Sequence, residues 1–351
     1  MTLHDNHGRA TIDDVARAAG VSTATVSRAL RNHPYVSEAT RAKVRSAAAA
    51  LSYVANSNAS RLASGSTRTI GLLAPLFTSW YTSEVVAGVE EVFEHAGYDL
   101  LIGTAHPMAR SRLFRGDAPF LQRVDGAILV DVFCAEEGAR QLANMGHPVV
   151  VLGERLEAVV SVSVDNRRGG RMAARHLLDL GHRRIALVGG HDQRDCAHSV
   201  PTERAEGFSA ALAAAGLKLS SQYCDEGGFT VRGGYEAMHR LLGLSRPPTA
   251  VFFMSDEMAF GGIQALRDRH LVAGQDVAIV GFDDHPVSGA FGLTTVRQPV
   301  RDIGRLGARL LLDQLDGFGQ LMHHPVELDL IERESTVSRQ AAALDRQAAR
   351  G

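Results

Sequence analysis

Cysteine is scarce in this 351-residue chain: Cys134, Cys196 and Cys224 are its only three, far apart and with no CxxC pair among them. An odd, scattered set excludes a disulfide framework and a cysteine zinc site. Long apolar runs are missing as well. No stretch of about 18 apolar residues could serve as a transmembrane helix, and the opening MTLHDNHGRA has no apolar signal core. A cytosolic protein with no membrane partner is expected. GxGxxG, P-loop, GxSxG and HExxH patterns are all absent, which removes the common sequence signatures of enzymes. The segments DDH and HDQRDCAH have no second ligand set at a recognised spacing, so neither a metal nor a cofactor is expected.

The composition itself is ordinary for a globular protein, 45% apolar and 22% charged, and the length suits two to three domains. The net charge of −2 hides an asymmetry. Up to Arg68 nine Lys/Arg face four Asp/Glu, a balance of +5, whereas the remainder carries 28 against 35, or −7. A basic head on an acidic body points to a polyanion at one end.

That head reads as three helices between Thr11 and Ser52. Thr11 with Asp14 resembles a capping box, and Ile12, Val15, Ala16 and Ala19 recur at helical spacing. Gly20 stops the first helix, and Ser22 re-starts the chain almost at once. In the second helix Val26, Ala29 and Leu30 share one face, opposite Thr23, Ala24, Ser27, Arg28 and Arg31. A third begins near Ser37, with Val44, Ala47, Ala48 and Leu51 turned inward. Two helices joined by a tight glycine turn describe a helix-turn-helix, whose second helix enters the DNA major groove. Thr23, Ala24, Ser27 and Arg28 then face base edges and phosphates, with the Arg28 fork suited to guanine. Residues 56–66 read as a linker with about two turns of marginal helix and a stop at Gly65.

From Thr69 the pattern changes to apolar strands (TIGLLAP, YDLLIGT, GAILV, PVVVLG, IALVGG, AVFFM, VAIVGF) alternating with helical stretches. These stretches include residues 83–96, 135–145, 168–180, 202–215, 230–242 and 257–269. Such alternation predicts parallel sheets covered on both faces, in two α/β lobes. Ligands of open α/β sheets bind at the carboxyl ends of strands. Ser79, Trp80, Tyr81, Asp131, Asp165, Asn166, Ser255, Asp256, Asp283, Asp284 and His285 gather at such ends, and Arg204 stands near a helix start. Carboxylates, one guanidinium and exposed rings suit a polyol. Each residue alone also fits a cap or turn, Asp256 above all.

With these residues in view, the chain resembles the bacterial lactose/galactose-repressor (LacI/GalR) family of transcription regulators. TIDDVARAAGVSTATVSRAL matches the family's head signature, and YVSEATRAKVRSAAAALSYVANSNASRLASG continues it. The body resembles it in GLLAP, VDGAILV, SVDNRRGG, HLLDLGHRRIALVGG, RAEGF, PPTAVFFMSDEMAFGG, VAIVGFDDHP and LTTVRQP, so the likeness runs from Thr11 to Ser338. It implies an all-α helix-turn-helix domain at residues 1–55 and a hinge at 56–68. A periplasmic-binding-protein-like core of two doubly wound parallel-sheet lobes follows at 69–338. The N-lobe is expected at about 69–165 plus 298–325, and the C-lobe at about 166–297 plus 326–338, joined by three crossing strands. A tail spans 339–351.

The implied partners are a pseudopalindromic double-stranded DNA operator, a second copy of the chain and a small-molecule effector, most simply a sugar. The DNA-contact set is Thr11, Ser22, Thr23, Ala24, Thr25, Ser27, Arg28, Arg31, Tyr35, Thr40, Tyr53, Asn56, Ala59 and Leu62. By the resemblance, Thr23 and Ala24 fall at the main specificity positions and Leu62 at the minor-groove wedge. The effector set is Trp80, Tyr81, Asp131, Asp165, Arg204, Ser255, Asp256, Phe282 and Asp283. Trp80-Tyr81 stands where the family commonly has Pro-Phe, and Ser255 where it has Asn. Residues 108–122 depart from the family's regular helix, and its tetramerising leucine-rich tail is missing. A sugar-binding receptor or an enzyme on the same core is the alternative.

Overall fold

The computed structural model describes residues 10–30, 32–53, 66–75, 77–105, 112–113, 115, 118–132, 136–144, 146–190 and 199–336. Arg31, Asn56, Ala59 and Leu62 of the expected DNA-contact set, and the tail from 339, lie outside these residues. The chain divides into two compact units, Met1–Thr67 and Arg68–Gly351.

The first unit contains α1 (Ile12–Ala19), α2 (Thr23–Leu30) and α3 (Glu38–Ala50). Thr11 and Asp14 form a reciprocal capping box, satisfying two amides that the helix cannot pair itself. Gly20 closes α1 at φ 63°, a left-handed conformation open to glycine at little cost, and its N–H reaches back to Ala16 and Arg17. The turn is therefore abrupt, and α2 packs across α1. Val15, Ala19, Val26, Ala29 and Val44 form a core with almost no exposure. Leu51 corrects the sequence expectation. It lies past the end of α3 and is exposed, and the half-buried Tyr53 packs on this core instead.

The second unit carries two six-stranded sheets. In the N-lobe β1 (Thr69–Ala74), β2 (Asp99–Thr104), β3 (Gly126–Val130), β4 (Val149–Leu152), β5 (Val160–Val164) and β11 (His323–Val326) are all parallel, in the order β11-β5-β4-β3-β1-β2. Alternate side chains enter two different cores. Ile70, Leu72, Ile128 and Leu152 pack on one face, and Leu73, Ala127, Leu129 and Val151 on the other. In the central strands β1, β3, β4 and β5 both faces are thus buried, which explains the unbroken apolar runs of the first three. The edge strand β2 is exposed or half-buried along its length. Among the described residues, α4 (Trp80–Ala96), α5 (Glu136–Ala143) and α10 (Val300–Leu315) serve this lobe.

The C-lobe holds β6 (Ile185–Gly189), β7 (Cys224–Glu226), β8 (Ala250–Phe253), β9 (Ala278–Asp283), β10 (Thr294–Arg297) and β12 (Asp329–Ile331), in the order β12-β10-β9-β8-β6-β7. Its helices are α6 (Asn166–Asp179), α7 (Val200–Ala214), α8 (Val231–Leu242) and α9 (Asp256–Asp268). Here the all-parallel expectation needs one correction: β12 runs antiparallel to β10. The chain reaches β12 directly from β11, with no crossover helix to reverse its direction. It crosses between the lobes at Asp165, at Gln298–Pro299 and at Glu327–Leu328.

Candidate functional site

On the outer face of α2, Ser22, Thr23, Ala24 and Arg28 are exposed, while Thr25 and Ser27 are half-buried. The Ser22 hydroxyl accepts the Thr25 amide at 3.2 Å and lies 2.9 Å from its hydroxyl, fixing the helix start. Thr25, Arg28, Tyr35 and Thr40 line one polar concavity with His33 and Ser37. Tyr35 is 91% exposed at its rim. Thr11 is exposed, but its hydroxyl is engaged at 2.7 Å by Asp14. Tyr53 lies apart, packed on the core of the unit. Small hydroxyl side chains beside a guanidinium let this helix approach base edges closely.

The second site is a cavity of about 250 Å³ between the lobes. Tyr81 and Asp131 enter it from the N-lobe, and Arg204, Phe229, Ser255 and Asp283 from the C-lobe; Asn166 and Gln298 stand at the crossings. Arg204 is 4% exposed. Its Nε donates to Asn166 Oδ1 at 2.9 Å and its Nη1 to the Met254 carbonyl at 2.6 Å, while the guanidinium lies 3.4 Å over the Phe282 ring. The helix bearing it is brought close by two glycines: a Cβ on Gly170 would fall 2.1 Å from the Arg204 carbonyl oxygen. Burial pulls the Arg204 pKa below the ordinary guanidinium value, against the pull of Asp283, Tyr81 and Asp131.

The carboxyls respond in the opposite sense. Burial holds Asp283 well above the usual carboxylate range, and Arg204 only partly offsets it. Asp283 accepts from Gln298 Nε2 at 2.6 Å and sits at φ 120°, a strained value for a residue with a Cβ. Asp131 is pushed up to about 6, again by burial against Arg204. Its Oδ1 has no hydrogen-bond partner among the described residues, and it leans over Gly153, where a Cβ would stand 2.0 Å away. The Tyr81 phenol is raised by burial first and by Asp131 second.

Five of the nine expected effector residues, Tyr81, Asp131, Arg204, Ser255 and Asp283, meet in this cavity. The other four do not line it. Trp80 packs against His285 with the ring planes tilted by 51°, and Asp165 caps α6 by accepting the Arg168 amide at 2.7 Å. Asp256 is fully buried and accepts from the His285 amide, the Ser288 hydroxyl and the Thr295 hydroxyl at 2.8, 2.6 and 2.6 Å. Phe282 is the buried floor under Arg204. Gln298, Phe229 and Glu257 were missed. Gln298 follows β10, so the strand-end rule would have found it had that strand been counted. Phe229 owes its place to a turn at φ 55°, which no sequence pattern announces.

Asp131 makes a direct pH prediction. Its folded pKa of about 6 lies above the reference value of 3.8, so the folded state holds a proton the unfolded chain gives up. The resulting stability is fully present below the lower value and is lost as pH rises through the upper one. Asp131→Asn removes this titration. Thermal melts should show the variant gaining on the parent as pH rises through 6; parallel curves would leave Asp131 without a raised pKa.

A helix-turn-helix unit together with a two-lobed unit that has an interlobe cavity defines a DNA-binding regulator on a periplasmic-binding-protein-like scaffold. Residues 11–56 match the family model "Bacterial regulatory proteins, lacI family", and residues 174–336 match "Periplasmic binding protein-like domain". The HTH-type transcriptional repressor CytR of Escherichia coli (strain K12) is 35% identical over 314 residues, 88% of this chain and 90% of CytR. The structure of the regulator CelR with cellobiose is 33% identical, covering 93% of this chain and all of that one at a TM-score of 0.67. The lac repressor dimer bound to operator and the anti-inducer ONPF is 26% identical, with 94% and 100% covered at a TM-score of 0.81. The chain belongs to the lacI family of bacterial regulatory proteins, and its relatives are transcriptional regulators rather than enzymes. No described helix is long and apolar enough to cross a membrane.

Proposed function

We propose that this chain is a cytoplasmic repressor that binds a two-fold symmetric operator as a homodimer, and that a sugar or sugar derivative in the interlobe cavity sets its DNA affinity. Thr23, Ala24, Ser27 and Arg28 read base edges and phosphates, and the segment at 56–66 couples the reader to the body. One observation carries the ligand assignment: a buried guanidinium flanked by Asn166 and Asp283, in a cavity also walled by the Tyr81 and Phe229 rings. Planar polar groups match pairs of hydroxyls, and rings match the C–H face of a sugar. The volume lies just below the range of about 300–1,000 Å³ usual for drug-sized ligands, which favours a ligand of one or two rings. The CelR–cellobiose and lac repressor–operator structures support the same reading by likeness.

Calorimetry across a sugar panel is the test. At least one sugar should give heat, and Asp283→Ala should weaken it about ten- to a hundred-fold, the cost of losing one buried hydrogen-bonding partner. Heat only from purines or amino acids would reject the sugar. The same sugar should shift the affinity of DNA fragments selected on the protein, and those fragments should share a two-fold symmetric sequence.

A further inference from the structure

Two C-lobe side chains reach across the cleft to the first residue of an N-lobe helix. Trp80 opens α4, and its amide donates to the Glu257 carboxylate of α9 at 3.4 Å. First-turn amides have no partner within their own helix, and the positive helix end favours a carboxylate. Glu257 thus caps a helix of the other lobe. The Trp80 ring meets His285, which follows β9, with centroids 4.7 Å apart. Phe260 of α9 meets the same imidazole edge-on at 5.4 Å.

His285 is held in place from below. Its amide donates to Asp256 at 2.8 Å, and its Nδ1 accepts the Val287 amide at 3.1 Å. The neutral ring therefore carries its proton on Nε2, and burial favours this form by holding the pKa below the ordinary histidine value.

Trp80 and His285 line no part of the cavity wall and lie on none of the three crossings. Strands β3 and β4 separate β1, which leads to Trp80, from the crossing strand β5. This contact therefore joins the lobes non-covalently, and it can part while the crossings stay intact. Glu257 alone of the three also faces the cavity.

We propose that Trp80, His285 and Glu257 form a clasp between the lobes that holds the cleft shut over the cavity and must part for a ligand to pass. The clasp regulates the site assigned above as the effector site and rests on that reading for its purpose, though not for its existence. A ring pair of this kind favours the closed cleft by about two- to ten-fold, enough to bias the lobes without locking them.

The sequence supplies the probe. Trp80 is its only tryptophan, and Cys224 on β7 of the C-lobe is exposed. With Cys134→Ser and Cys196→Ser in the full-length protein, an acceptor dye on Cys224 reports lobe separation by energy transfer from Trp80, with no sugar or DNA present. His285→Ala should lower the transfer, corrected against donor-only protein, as the open population rises about two- to ten-fold. Glu257→Gln, which keeps the packing, should lower it less and decides the matter if the alanine variant does not fold. Unchanged transfer in folded variants would overturn the clasp. Reduced transfer together with a silent sugar panel would leave the clasp standing and remove the sugar assignment.

Discussion

Arg204→Leu should lower the thermal midpoint of the body by roughly 6–20 °C and abolish heat from any sugar the parent protein binds. Removing one partner from a buried charge cluster costs about 3–5 kcal/mol, because the others remain buried without compensation. In a unit of this size each kcal/mol moves the midpoint by about 2–4 °C. The substitution leaves the Met254 carbonyl and Asn166 Oδ1 without the donors they now have. It also removes the cation that opposes the rise of Asp131 and Asp283. Both carboxyls then hold their protons more firmly, so the loss should be smaller in acid than above neutrality. Melts of parent and variant across that pH range provide the check. A drop of about a degree, the same at every pH, would show that Arg204 is not the electrostatic centre of the cavity.

Much of this arrangement was legible in the sequence, for identifiable reasons. The capping box at Thr11, the left-handed stop at Gly20 and the inward face of Val26 and Ala29 are local devices, and local devices can be read from spacing. The continuous strands were equally plain, because burial on both faces leaves no polar alternation to confuse them. Asp131 and Asp283 stood out since strand ends are where an α/β sheet offers groups to a ligand, and Arg204 because it stands near the start of a helix that follows such a strand. What failed was orientation. Trp80 and Tyr81 are neighbours on one helix turn, yet only Tyr81 points into the cavity. Asp256 carries the same carboxylate as Asp283, but three donors enclose it beneath the loop at His285. Such choices depend on which neighbours close around a side chain, and those neighbours come from distant parts of the chain. The antiparallel β12 has a similar origin. Its direction follows from entering directly from β11 of the other lobe.

The reader unit is the more fragile of the two. Its core consists of Val15, Ala16, Ala19, Val26, Ala29, Val36, Val44 and Ala48, all valine or alanine. A core of this size rarely supplies more than about 3–5 kcal/mol. Val26 is fully buried at the crossing of α2 with its neighbours, and its face fixes where Thr23, Ala24 and Arg28 point. An uncompensated buried carboxylate costs several kcal/mol, about the entire stability available. Val26→Asp should therefore unfold the reader and abolish sequence-specific DNA binding. Val26→Ala removes two methyl groups but gains about 0.5 kcal/mol of helix propensity, so it should weaken binding while leaving the base preference intact. The body is a compact unit in its own right and should keep its thermal transition and its sugar heat in both variants. Fluorescence anisotropy with the selected DNA, run beside calorimetry of the body, measures the two effects separately. Full operator affinity in Val26→Asp would mean that α2 is not the element that reads DNA.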